Sequence, residues 1–130
     1  NDISGTIPTD LGLLTGLDVL GLAENDLVGP VPMNELGLLT RLNDLSLGTN
    51  ELTGTVSSSL GLLTELQSLE LHGNRLKETI PTNIGSLTDL LNLDLSGNQL
   101  EGTIPSEIGL LTGLNDLDMS DNQLDGPIPS

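Results

Sequence analysis

Cysteine is absent from the chain. That excludes a disulfide framework, thiol catalysis and any thiolate metal site. Phe, Tyr and Trp are absent too, so any core must come from Leu, Ile, Val and a little Met. Side chains of one similar size suit a slot filled many times over better than a single irregular core. Basic residues are scarce: 3 Lys plus Arg stand against 19 Asp plus Glu, for a formal net charge of -16. Such a surface repels phosphate and makes nucleic acid a poor partner. Cationic proteins, basic peptides and divalent metals suit it better. No apolar run approaches membrane-spanning length, and the opening residues do not read as a signal peptide. The sequence starts at Asn1, in the middle of a repeat, and reads as a piece of a longer protein.

What is present is periodic. One string runs Leu17-x-x-Leu20-x-Leu22-x-x-Asn25-x-Leu27. It returns with Asn50, Asn74, Asn98 and Asn122, at steps of 25, 24, 24 and 24 residues. Asn1 and Ile3 are the tail of a preceding copy. A second signature follows each copy: Gly5-Thr6-Ile7-Pro8, Gly29-Pro30-Val31-Pro32, Gly54-Thr55-Val56-Ser57, Glu78-Thr79-Ile80-Pro81, Gly102-Thr103-Ile104-Pro105 and Gly126-Pro127-Ile128-Pro129. Then comes Leu11-Gly12-Leu13-Leu14-Thr15 or a near copy. The one extra residue falls within Met33-Asn34-Glu35.

These motifs resemble the leucine-rich repeat family, in particular the plant-type subclass with its L-x-G-x-I-P segment. Copies worded Gly-Leu-Leu-Thr are similar to plant and algal members. The resemblance spans essentially the whole chain and is specific for fold; function sits in the variable positions. It implies an α/β-type solenoid, a right-handed curved coil. A parallel β-sheet would line the concave face, with 3₁₀ or short helical returns on the convex face. The expected division is one segment over 1–130, with a partial repeat at 1–13. Five fuller repeats follow at 14–38, 39–62, 63–86, 87–110 and 111–130, with no recognisable caps.

The physics leads to the same shape. Leu20-x-Leu22 alternates with period two, a short strand with one buried face. Such a strand cannot stand alone, so the next copy must pair beside it in parallel, at about 4.8 Å. The Asn column 25, 50, 74, 98 and 122 follows the strand where the chain turns inward, and a buried amide there can satisfy turn backbone. The Gly column marks a backbone position that needs positive φ or close approach, and Glu78 breaks it. Proline at 8, 81, 105 and 129 makes the second extended piece a weakly paired outer strand. The last coil is expected to leave Leu114, Leu117, Met119, Leu124 and Ile128 poorly covered. Uncapped ends of this kind predict end-to-end self-association or marginal stability.

Side chains between the strand leucines face outward on the concave side. They are Val19, Gly21 and Ala23, then Asp44, Ser46 and Gly48, then Ser68, Glu70 and His72. Asn92, Asp94 and Ser96 follow, then Asp116, Asp118 and Ser120. The polar members from Asp44 onward form the candidate binding face. Glu70, Asp94 and Asp118 stack at about 4.8 Å, so their mutual repulsion predicts raised pKa values and an affinity for a cation. The favoured function is recognition of a basic protein or peptide, with no cofactor. The alternatives are a solvated acidic face on a structural or adhesive spacer, calcium binding, and ice binding through Thr6, Thr55, Thr79 and Thr103. Calcium wants roughly 6 to 8 oxygens, and a flat column offers few at once. His72 beside Glu70 could be drawn as an acid–base pair, but no nucleophile constellation surrounds it, and nothing supports an enzyme. Arg41 is expected level with Glu65, Lys77 with Glu101, and Arg75 one coil after Glu51, as weak surface pairs. No Asn-x-Ser/Thr glycosylation motif occurs. An extracellular or cell-surface location is implied by the resemblance alone.

Overall fold

The computed structural model describes residues 1–129. Eleven short strands follow one another: β1 Ser4–Gly5, β2 Val19–Gly21, β3 Asp26–Pro30, β4 Asp44–Ser46, β5 Glu51–Thr53, β6 Ser68–Glu70, β7 Lys77–Glu78, β8 Asn92–Asp94, β9 Gln99–Thr103, β10 Asp116–Asp118 and β11 Gln123–Asp125. The even-numbered strands form one parallel sheet in the order β10-β8-β6-β4-β2. This is the leucine-rich repeat solenoid, with one inner strand per coil. The odd-numbered strands form two smaller parallel sheets, β1-β3-β5 and β11-β9-β7, linked by an isolated bridge from Thr55 to Lys77. The outer threonine column therefore does not lie on one unbroken sheet.

The return segments are 3₁₀ turns at Thr9–Leu13, Ser58–Leu62, Thr82–Ser86 and Ser106–Leu110. The second coil differs, because its extra residue is absorbed by a single α-turn, α1, at Met33–Leu36. Ser57, which stands where the five other copies carry proline, caps its 3₁₀ turn by accepting a hydrogen bond from the Ser59 N–H at 3.1 Å.

One continuous core of leucine, isoleucine and valine runs the length of the stack. In the middle coils Leu45, Leu69 and Leu93 are completely buried. Neighbouring returns approach so closely that a Cβ on Gly61 would lie 2.8 Å from the Asn83 carbonyl oxygen. Only glycine fits at that crossing.

The asparagines tie the turns together. Asn74 Nδ2 donates to its own turn at Leu71 O (3.2 Å) and His72 O (3.2 Å), and to the preceding coil at Leu47 O (3.0 Å). Its Oδ1 accepts the Leu52 N–H at 2.9 Å. Asn50, Asn98 and Asn122 repeat this set, and Asn25 makes the bonds open to it in the first turn. Buried backbone groups are thereby satisfied across every coil boundary.

Two columns adopt positive φ. The outer-strand column does so at Gly5, Gly29, Gly54, Gly102 and Gly126, and Glu78 holds the same conformation at φ 66. A side chain there is strained, by about 1 kcal/mol or more. A second column precedes the asparagines. It holds Gly73 and Gly97, but also Glu24, Thr49 and Asp121 at φ 55, 54 and 53. Thr49 is the most strained of these because it is β-branched.

Candidate functional site

The inner sheet sets the site through its register. Gly21, Ser46, Glu70, Asp94 and Asp118 are direct neighbours on successive strands, as are Val19, Asp44, Ser68, Asn92 and Asp116. A third row just after the strands holds Ala23, Gly48, His72, Ser96 and Ser120. The leucines between them face the core, so alternation turns all three rows toward solvent.

The polar side chains of this face are knitted together. Glu70 accepts from Ser46 Oγ at 2.9 Å and from Asn92 Nδ2 at 3.3 Å. Asn92 also donates to Ser68 Oγ at 3.3 Å, which brings Ser68 into the network. Asp94 Oδ1 accepts from the Ser96 N–H at 3.0 Å and from Ser96 Oγ at 2.7 Å. Asp118 repeats this with Ser120 at 2.8 and 2.6 Å.

His72 has a particular seat. Its ring lies over Gly48, where any Cβ would collide with it. Nδ1 sits 3.3 Å from Asp94 Oδ2, close enough for an ion pair once the ring is protonated. That contact lacks hydrogen-bond alignment, and the enclosed Nδ1 has no hydrogen-bond partner. Histidine, carboxylate and serine thus meet, but in the wrong order for nucleophilic catalysis. The Ser96 hydroxyl is bonded to the carboxylate and not to the imidazole that would have to deprotonate it.

The electrostatics correct one expectation. Asp118 was expected to be raised by its neighbours; its pKa is lowered, first by the Ser120 hydroxyl and then by the Ser120 N–H, with a smaller contribution from His72. Hydrogen bonds to the ionised form outweigh the desolvation that opposes them at this exposed position. The raised group is Asp44, through burial first and the charge of Glu70 second.

The surface pairs also need correction. Arg41 pairs with Asp18 on the preceding coil at 3.3 Å, not with Glu65. Arg75 does meet Glu51, at 3.2 Å. Lys77 lies beside Gln99 in the outer-strand register and makes no ion pair among the described residues. All three basic residues lie off the inner strands.

Among the described residues, no three His, Asp or Glu side chains converge in a way that would hold a metal ion. The acids form a ladder and not a cage, which offers calcium little. No helix is long and apolar enough to cross a membrane.

Such a face, on a stack of asparagine-laced coils, is the inner surface of a repeat solenoid. A leucine rich repeat family model matches residues 64–124. The ectodomain of the receptor kinase SOBIR1 from Arabidopsis thaliana is similar at 32% identity and a TM-score of 0.88, over 95% of this chain and 67% of that one. The chain belongs to the leucine-rich repeat family. It is also similar to the plant peptide hormone receptor RGFR1 in complex with RGF2, at 40% identity and a TM-score of 0.97, over 99% of this chain and 20% of that one. The Arabidopsis receptor kinase HAESA, in complex with the peptide hormone IDA and the co-receptor SERK1, gives 41% identity and a TM-score of 0.95 over 99% and 21%. The chain spans about a fifth of the length of these two receptor chains. No curated protein matches the sequence.

Proposed function

We propose that the chain is a recognition segment that binds a cationic protein or peptide on its acidic inner strip, as part of a larger receptor-like or cell-surface protein. The observation that carries this is the in-register column Glu70, Asp94 and Asp118, on a sheet without Lys or Arg. Like charges at strand spacing favour a basic ligand, which steers in and relieves them. The hydrogen bonds from Ser46, Asn92, Ser96 and Ser120 fix the carboxylates in place, so less side-chain freedom is lost on binding. The ligands named for RGFR1 and HAESA, peptide hormones in both cases, favour a peptide as the partner class. Asp44, Ser46, Glu70, His72, Asn92, Asp94, Ser96, Asp116, Asp118 and Ser120 make the contact surface. The asparagine ladder carries the scaffold, and no catalytic role falls to any of these residues.

The test is a titration with a labelled Arg- and Lys-rich peptide followed by fluorescence anisotropy. Reversing Glu70, Asp94 and Asp118 to lysine should abolish binding, and raising the salt should weaken it in the unchanged protein. Equal affinity in the reversed variant would reject the strip as the recognition surface and leave a spacer role.

A further inference from the structure

Where two adjacent leucines close a return segment inside the stack, they face opposite ways; in the first return, at the end of the stack, Leu14 is exposed beside Leu13. The second of the pair belongs to the core, and Leu39, Leu63, Leu87 and Leu111 are buried there. The first stands out in solvent: Leu13 is 74% exposed, Leu38 53%, Leu62 54% and Leu110 58%. Only the fourth coil departs, with Ser86. A single exposed leucine is ordinary, but a row of them on stacked coils is an apolar ridge. The core does not need this row. The ridge is also rigid, because the returns beneath it pack backbone against backbone at Gly12, Gly37, Gly61 and Gly85.

Acids border the ridge on both sides. Asp10, Glu35 and Glu107 stand three residues before ridge positions, and Glu65 and Asp89 three residues after. Arg41 is the one base in these flanks, and it is already paired with Asp18 at 3.3 Å.

We infer that this ridge, on the face opposite the inner sheet, is a docking surface for an amphipathic helix with an apolar stripe between basic flanks. Charge complementarity selects the basic flanks. Pitch selects the helix: lying along the solenoid axis it presents a side chain every turn of about 5.4 Å, against a coil spacing of about 4.8 Å. Two or three successive turns therefore stay level with Leu13, Leu38 and Leu62. A second copy of this chain would set acidic flanks against acidic flanks, and an anionic lipid surface would be repelled in the same way. The surface is separate from the inner strip and does not depend on it.

The probe is a labelled 18-residue peptide of leucine and lysine arranged as an amphipathic helix, beside a scrambled peptide of the same composition. The unchanged protein should bind the amphipathic peptide at least tenfold more tightly than the scrambled one. Leu38→Ser with Leu62→Ser should remove that preference while keeping the melting temperature, since both side chains are outside the core. Glu70→Gln with Asp94→Asn on the inner face should leave the preference intact. Equal binding of both peptides, or a preference that survives the leucine substitutions, would overturn the proposal. So would sedimentation showing that the unchanged protein self-associates and that the leucine variant is monomeric, because the occupant would then be a second copy.

Discussion

Leu69 and Leu117 occupy the same place in the same motif, two coils apart. Leu69, in the middle of the stack, is fully buried, whereas Leu117, in the last coil described, is 45% exposed. Their strands have the same length and the same pairing geometry. Asn74 and Asn122 likewise make the same set of bonds, yet Asn74 is buried and Asn122 only half-buried. Local sequence sets the conformation of a coil, and the neighbours set what that conformation is worth. This is the behaviour of a quasi-one-dimensional structure, whose stability is a sum of coil and interface contributions.

The contrast can be tested from its largest effect downward. Leu69→Ala should cost about 2–5 kcal/mol, and Leu117→Ala less than about 1.5 kcal/mol, since much of that side chain already meets water. Urea denaturation of the two variants would measure this, and equal losses would break the comparison. Gly61→Ala should cost about 1–3 kcal/mol by forcing two returns apart. Gly109→Ala, where a Cβ meets nothing within 4 Å, should be neutral or stabilising by up to about 1 kcal/mol.

The smallest effects are electrostatic, and they have opposite signs. Asp44, in a central coil, has a raised pKa, so its ionised form works against the fold. That penalty is present at neutral pH and disappears as the pH falls below the ordinary carboxylate range. Asp44→Asn should therefore raise the melting temperature slightly at pH 7 and not at pH 3. Asp118, in the last coil, has a lowered pKa, so its contribution is present above the ordinary range and is lost as the pH falls through its own lowered value. Asp118→Ala should lower the melting temperature slightly at pH 7 and progressively less in acid. Melts at both pH values would check the pair, and matching signs would contradict the assigned causes.

The repeat made much of this fold legible. A 24-residue spacing of asparagine and leucine admits few arrangements other than parallel stacked coils. The outward rows of the inner face followed from alternation alone. Other features depended on directions that spacing does not encode. Asp118 takes two hydrogen bonds from the serine two residues on, whereas Asp44 has a serine at the same offset and is raised, so the pattern Asp-x-Ser alone did not reveal the direction. Arg41 reaches back to Asp18 because side-chain direction decided the pairing, whereas level position alone pointed to Glu65. The positive φ at Thr49 was hinted at by Gly73 and Gly97 in the same column. The exposed ridge was hidden because two consecutive leucines look alike until the 3₁₀ turn sends one in and one out.

Each asparagine rung addresses the coil before it through main-chain atoms only. Asn74 reads the carbonyl of Leu47 and the N–H of Leu52, and any residue other than proline would present the same pair. A rung is therefore blind to the identity of its neighbour. As far as the rungs are concerned, whole turns can be duplicated, lost or exchanged wherever the glycine crossings and the seat of His72 over Gly48 are kept, which leaves the rest of the inner face free to vary in length and in charge while the spine stays the same.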